Sequence, residues 1–191
     1  MVRSLTARTT RVGLGLSAVL LVAVAPACGD EDGGSGGAGA TGGTPARAAT
    51  AEIAPLEDSG VQGTAEFSVA GEEVTLSITI EGGGPGEHGL HIHQNGVCEG
   101  DGTSAGDHWN PEGHMHGHWN EGEFHLGDIG NITLDAAGRG SLTLTTTRWS
   151  VGDGAPTDVV GHAVILHADP DDLASQPSGN AGARIACGVI E

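Results

Sequence analysis

Residues 74–80 read Val-Thr-Leu-Ser-Ile-Thr-Ile, so Val74, Leu76, Ile78 and Ile80 alternate with hydroxyl residues. Alternate side chains of an extended chain face opposite ways, which commits one face of this run to a core and the other to water. Residues 62–69 form a weaker strand before it, with Ala70-Gly71-Glu72 as the turn. Ile132-Thr133-Leu134 and residues 142–145 flank 135–140, which reads as a hairpin connection. Val159, Val160 and residues 163–166 form a later, more buried strand. No amphipathic helix is legible. Aromatic residues make up only 3% of the chain, so the core has to be built from Val, Ile, Leu and Ala. Many short strands with Gly-rich turns point to an all-β sandwich or barrel. Two long stretches, 94–127 and 168–183, lack any strand pattern, and long loops inside a compact domain are usually functional.

The chain start has a different character. Arg3, Arg8 and Arg11 precede an apolar run over residues 13–24, too short to span a bilayer comfortably. Ala25-Pro26-Ala27-Cys28 then reads as an export cleavage site, making residues 1–27 a signal peptide. A cysteine directly after such a site resembles a bacterial lipoprotein box, so Cys28 is expected to carry lipid and tether the chain to a membrane. Ordinary cleavage that leaves a free thiol is the alternative. Residues 28–49 are Gly-, Ser-, Ala- and Thr-rich and form a flexible spacer with a reach of roughly 25 Å. The folded domain is expected over 50–191, exported to a periplasm or cell surface. The balance of 25 Asp+Glu against 7 Lys+Arg, every cation an arginine, excludes a nucleic-acid footprint and suits solubility. Removal of residues 1–27 leaves four arginines against 25 acids, a formal charge of −21.

The ten histidines are the chemical signal. His91-Ile92-His93 sits at a strand-like position, where alternate residues share a face and both imidazoles can reach one metal. The first long loop adds His108, His114, His116, His118 and His125, with Asp128 at its end; His167 closes the later strand. Imidazole suits zinc and copper, and carboxylate oxygen suits zinc. No His-Glu-x-x-His occurs, and Gly82-Gly83-Gly84 reads as a turn and not a phosphate loop. His88 and His162 read as structural. With Cys28 taken by processing, Cys98 and Cys187 remain, in a compartment where disulfides persist; two buried free thiols are the alternative.

Residues Gly89-Leu90-His91-Ile92-His93, His108-Trp109-Asn110-Pro111, the run from His125 to Asn131 and the run from Gly179 to Gly188 resemble, in order, the motifs of the copper,zinc superoxide dismutase family in its exported, bacterial-type form. The resemblance implies a Greek-key β-barrel or flattened sandwich with long metal-binding loops. It implies copper on His91, His93, His108 and His167, and zinc on His108, His116, His125 and Asp128, with His108 bridging as an imidazolate. Asp171 resembles the carboxylate that links the two sites, Cys98 and Cys187 match the intrasubunit disulfide, and Arg184 matches the arginine beside the copper. The implied activity converts superoxide to dioxygen and hydrogen peroxide by cycling Cu(II) and Cu(I). A non-catalytic module that buffers copper or zinc on the same fold is the alternative. Dimer contacts differ between lineages of the family, so a homodimer stays open. His114 and His118 read as solvated, with a copper-loading site made with Met115 as the sharper reading. Residues 168–178 carry Asp169, Asp171 and Asp172 and no cation, where the family commonly has lysines, so weak anion steering is expected.

Overall fold

The computed structural model describes residues 47–191, which fold into eight antiparallel strands: β1 (Ala48–Pro55), β2 (Gln62–Ala70), β3 (Glu73–Glu81), β4 (Gly86–His93), β5 (Asp128–Leu134), β6 (Gly140–Thr146), β7 (Ala163–His167) and β8 (Arg184–Val189). The expected signal peptide, Cys28 and spacer residues 28–46 lie outside the described residues. The strand order is β5-β4-β7-β8-β1-β2-β3-β6. A single 3-10 turn, Thr103–Ala105, is the only helix among the described residues.

Period-two patterning builds the barrel. Val74, Leu76, Ile78 and Ile80 of β3 are buried, as are Ala65 and Phe67 of β2 and Ala49, Ala51 and Ile53 of β1. Phe67 lies opposite Leu76 and Ala65 opposite Ile78, so the pairing register stacks one apolar face. Each Leu, Ile or Phe side chain so buried contributes about 1.5–3 kcal/mol. The wet face carries hydroxyl ladders, with Thr64 Oγ1 and Thr79 Oγ1 3.1 Å apart and Thr75 Oγ1 and Thr145 Oγ1 2.9 Å apart. Trp149 closes the core, edge-on to Phe67, and donates its indole N–H to Leu126 O at 2.9 Å.

Three expectations need correction. Residues 135–140 do make a turn, with Asp135 N–H donating to Arg139 O at 2.8 Å. The strands it joins do not form a hairpin ladder: β5 pairs with β4 and β6 with β3, at the two edges of the sheet. Barrel closure, and not the local turn, decides their partners. Val159 and Val160 fall outside β7, because Gly161 at φ 88° turns the chain before the strand begins. The first strand opens at Ala48, two residues ahead of the expected boundary.

The two stretches without strand pattern are the two long connections, between β4 and β5 and between β7 and β8. They cover the outer face of the β5-β4-β7-β8 region. Leu90 and Ile92 of β4 point into the barrel core, and His91 and His93 alternate onto the covered outer face, so all four are buried. Leu56, Ala105, Ala163, Ile165 and Cys187 form a second small core under the first loop. A disulfide, Cys98–Cys187, pins that loop to β8 with a Cα–Cα distance of 5.8 Å. Loop and strand touch most closely at Gly127. Its carbonyl accepts from Ile92 N–H, and a Cβ there would run into Ile92 O.

Candidate metal centre

The loops bring six of the ten histidines onto that covered face as two sets sharing one member. His91, His93, His108 and His167 form one, and His108, His116, His125 and Asp128 the other. Within each set one donor atom per residue lies within 4.8 Å of every other, and all seven residues are buried. His91 and His93 come from β4, His167 ends β7, and His108 is drawn against His93 by an isolated β-bridge.

The outer ring nitrogens are spoken for, which fixes the tautomers, because a carbonyl or carboxylate can only accept. His93 Nδ1–H donates to Gly106 O at 2.9 Å and His167 Nδ1–H to Gly182 O at 3.2 Å. His91 Nε2–H donates to Asp171 Oδ2 at 2.8 Å, and His116 Nε2–H to Asp171 Oδ1 at 3.0 Å. His125 Nε2–H donates to His114 O at 3.1 Å. The inner nitrogens behave differently. His91 Nδ1, His108 Nε2, His116 Nδ1 and His125 Nδ1 are buried and make no hydrogen bond. A buried polar atom without a partner costs about 1–3 kcal/mol, so four converging ones call for a cation. His93 Nε2 and His167 Nε2 face each other at 3.4 Å with the same need.

The donor chemistry separates the sets. Four imidazoles suit copper. In the second set His108 Nδ1, His116 Nδ1 and His125 Nδ1 stand 2.7, 3.0 and 3.2 Å from Asp128 Oδ1. The last two approach that oxygen without hydrogen-bond geometry. Three imidazoles and one carboxylate are a closed tetrahedral zinc set. Only His108 turns both ring nitrogens inward, one to each set.

Electrostatics set most of the first group apart from His116, which burial would lower but which Asp128 and Asp171 raise to about 9. Burial, then the neighbouring His108, holds His93 well below the ordinary histidine pKa. Burial takes His108 down to about 4 against its bond to Asp128, and takes His167 to about 3 with help from His91. These rings stay neutral near pH 7, with lone pairs free for a metal. Burial alone would raise the Asp128 and Asp171 carboxyls. The imidazoles around Asp128, and the His116 and His91 rings on Asp171, outweigh it and hold both far below the usual carboxylate range.

Asp171 is held as firmly as it holds. Its N–H donates to Asn131 Oδ1 at 2.7 Å, and Asn131 Nδ2 donates back to Asp171 O at 2.9 Å. Gly179, at φ 67°, passes so close that a Cβ would collide with the Asp171 carboxylate. Gln176 clamps the His116 backbone, accepting from its N–H and donating to its carbonyl. Asn131 stands inside a recognisable motif, whereas nothing around Gln176 marks it in the sequence.

A cleft of about 730 Å³ leads from solvent to His93, His108 and His167, with Arg184 and Asp107 on its wall. Arg184 is half-buried and donates to Gly102 O at 2.5 Å and Gly106 O at 2.6 Å. The remaining histidines stand apart from the two sets. His88 lies between Gly84 O and His167 O, and His162 bonds Gln94 O and packs on Trp109. His118 is exposed, against Trp119 O and Glu121. His114 is partly exposed at the cleft.

A family model described as copper/zinc superoxide dismutase matches residues 61–190. A Cu-Zn superoxide dismutase 2 from Brassica juncea is 40% identical over 146 residues, covering 72% of this chain and 95% of the relative. An extracellular Cu-Zn superoxide dismutase from Onchocerca volvulus is 40% identical over 144 residues, covering 70% and 71%. Among solved structures, the clock protein EA4 superposes with a TM-score of 0.68 at 35% identity, covering 78% of this chain and 96% of that one.

Proposed function

The chain belongs to the copper/zinc superoxide dismutase family, oxidoreductases that use both metals, and from that premise we propose that His91, His93, His108 and His167 hold its copper and that His108, His116, His125 and Asp128 hold its zinc. The observation that carries the assignment is His108, whose Nδ1 serves one set while its buried Nε2 is left without a hydrogen bond on the side of the other. Bound there, copper would supply, by cycling between Cu(II) and Cu(I), the one-electron chemistry that oxidises one superoxide to dioxygen and reduces a second to hydrogen peroxide, and zinc would be structural and redox-inert.

The chain's own residues do the rest. The Arg184 guanidinium, charged at any working pH, holds the superoxide anion at the cleft floor. Its two bonds to the carbonyls of Gly102 and Gly106 aim it there. His108 Nε2 takes up a proton from water in one half-cycle and gives it to the departing peroxide in the other, whose second proton comes from water in the cleft. Asp128 Oδ1 stands 2.7 Å from the Nδ1 of that ring, on the side where zinc would hold both and keep the ring in place during that exchange.

The test loads the chain with copper and zinc and follows superoxide decay by pulse radiolysis. A copper-dependent second-order decay is the expected result, with Arg184→Ala about tenfold slower at unchanged metal content. No acceleration over metal-free protein, with both metals bound, would favour the buffering alternative.

The N-terminal segment completes the proposal: a signal peptide over 1–27, lipid on Cys28, a spacer after it and the enzyme domain from β1 at Ala48 onward, held at a membrane on the periplasmic or outer side. The disulfide supports an oxidising compartment, and one relative is described as extracellular. Radiolabelled palmitate should enter the chain in a bacterial host, and Cys28→Ser should abolish the label; equal labelling of that variant would refute the anchor.

A further inference from the structure

Met115 is 59% exposed, the most exposed of the large hydrophobic residues among those described. It does not pack in either core. It stands with His114 on the wall of the cleft whose floor carries His93, His108 and His167. The backbone displaying the two side chains is fixed from several directions. His114 N–H donates to Asn110 Oδ1 at 3.1 Å, His114 O accepts from Asn110 Nδ2 at 2.9 Å, and Met115 N–H donates to Glu123 Oε2 at 3.3 Å. His125 Nε2–H also donates to His114 O, and His116 is the next residue in the chain. Two of the four zinc-set residues therefore brace the segment that carries Met115.

A thioether is a soft donor that binds monovalent copper and hardly competes for zinc, and imidazole serves either metal. The four-histidine set is buried, so a metal ion bound for it has to come through this cleft. A soft donor and an imidazole on a braced loop at the mouth select for Cu(I) before it arrives. We propose that Met115 and His114 form an entry site that captures Cu(I) at the cleft mouth and passes it to the four-histidine set. His114 Nδ1 stands 3.4 Å from Glu112 Oε2, which leaves its Nε2 for the ion, whereas His118 does not line the cleft and takes no part. The inference rests on the assignment of copper to His91, His93, His108 and His167.

Silver(I), a redox-inert stand-in for Cu(I), tests the site directly in the full chain loaded with zinc and reduced copper. The chain has two methionines, Met1 and Met115, so ¹³C-methyl labelling gives two signals, and Met115→Leu identifies one. One equivalent of Ag(I) should shift the Met115 methyl. His114→Ala should weaken that binding tenfold or more, and His118→Ala should leave it unchanged. A second arm presents chelator-held Cu(I) to zinc-loaded protein. Uptake should be at least fivefold slower in Met115→Leu while the final copper content matches wild type. An unmoved Met115 methyl, or equal uptake rates, would overturn the entry site while leaving the copper set standing. Failure of the wild type itself to retain copper would overturn the copper assignment and the entry role together. Met115 is exposed, so its replacement by leucine does not disturb folding.

Discussion

At Asp171 a single carboxylate accepts from His91 with one oxygen and from His116 with the other, joining the two donor sets through a path separate from His108. An amide cannot replace it, because Asn offers one acceptor oxygen and a donor that would meet a second N–H. Asp171→Asn should therefore release one ring, and chelator competition should read a 10- to 100-fold loss of zinc affinity. Unchanged zinc affinity would mean that the loop alone orients His116. Asp171 and the metal-set residues were legible because their types and motifs are chemically distinctive. Their supports were less so. Gln176 reaches the His116 backbone across 60 residues and Asn131 reaches Asp171 across 40. Such contacts exist only once the barrel has brought the two loops together, and no local pattern encodes them.

The strands differ in legibility for a related reason. In β3 the core face is Val, Leu and Ile, and the alternation is plain. In β1 the core face is Ala49, Ala51 and Ile53, and in β8 the run is Arg-Ile-Ala-Cys-Gly-Val, too small or too mixed to stand out. Small side chains suit places where a loop or neighbouring strand comes close. Beside β8 the disulfide closes a loop of 89 residues and fastens the segment whose Gly102 and Gly106 carbonyls hold Arg184 and His93. Replacing Cys98 and Cys187 together by serine should lower stability by about 2–5 kcal/mol, read from the denaturation midpoint. It should also slow superoxide decay, because the guanidinium loses its anchor. Full activity at the lowered stability would separate the bond from the aim of Arg184.

Over the whole molecule the charge is −18 and the substrate is an anion. Where the cleft meets water, its wall has Arg184 and, in front of the shared His108, Asp107. Asp169 and Asp172 belong to the second loop, which carries no cation, and the exposed Asp172 carboxylate accepts from Ser175 N–H and Asn180 Nδ2. Attraction is local and the surrounding field repels, so raising ionic strength screens mainly the repulsion. The superoxide decay rate should stay flat or rise between about 0.01 and 0.15 M salt, and Asp107→Asn should raise the low-salt rate. A steep fall with salt would show a steering field that the acidic surface does not suggest. The alternation of β4 has a consequence of another kind. Leu90 and Ile92 face the core while His91 and His93 face the histidine cluster. A strand paired one residue out of step would exchange these faces, burying imidazoles in hydrocarbon and presenting leucine and isoleucine to the ions. Metal occupancy of the four-histidine set would therefore report the register of β4. In a misregistered barrel those four imidazoles would not converge, so the register of one strand decides whether the set can exist at all.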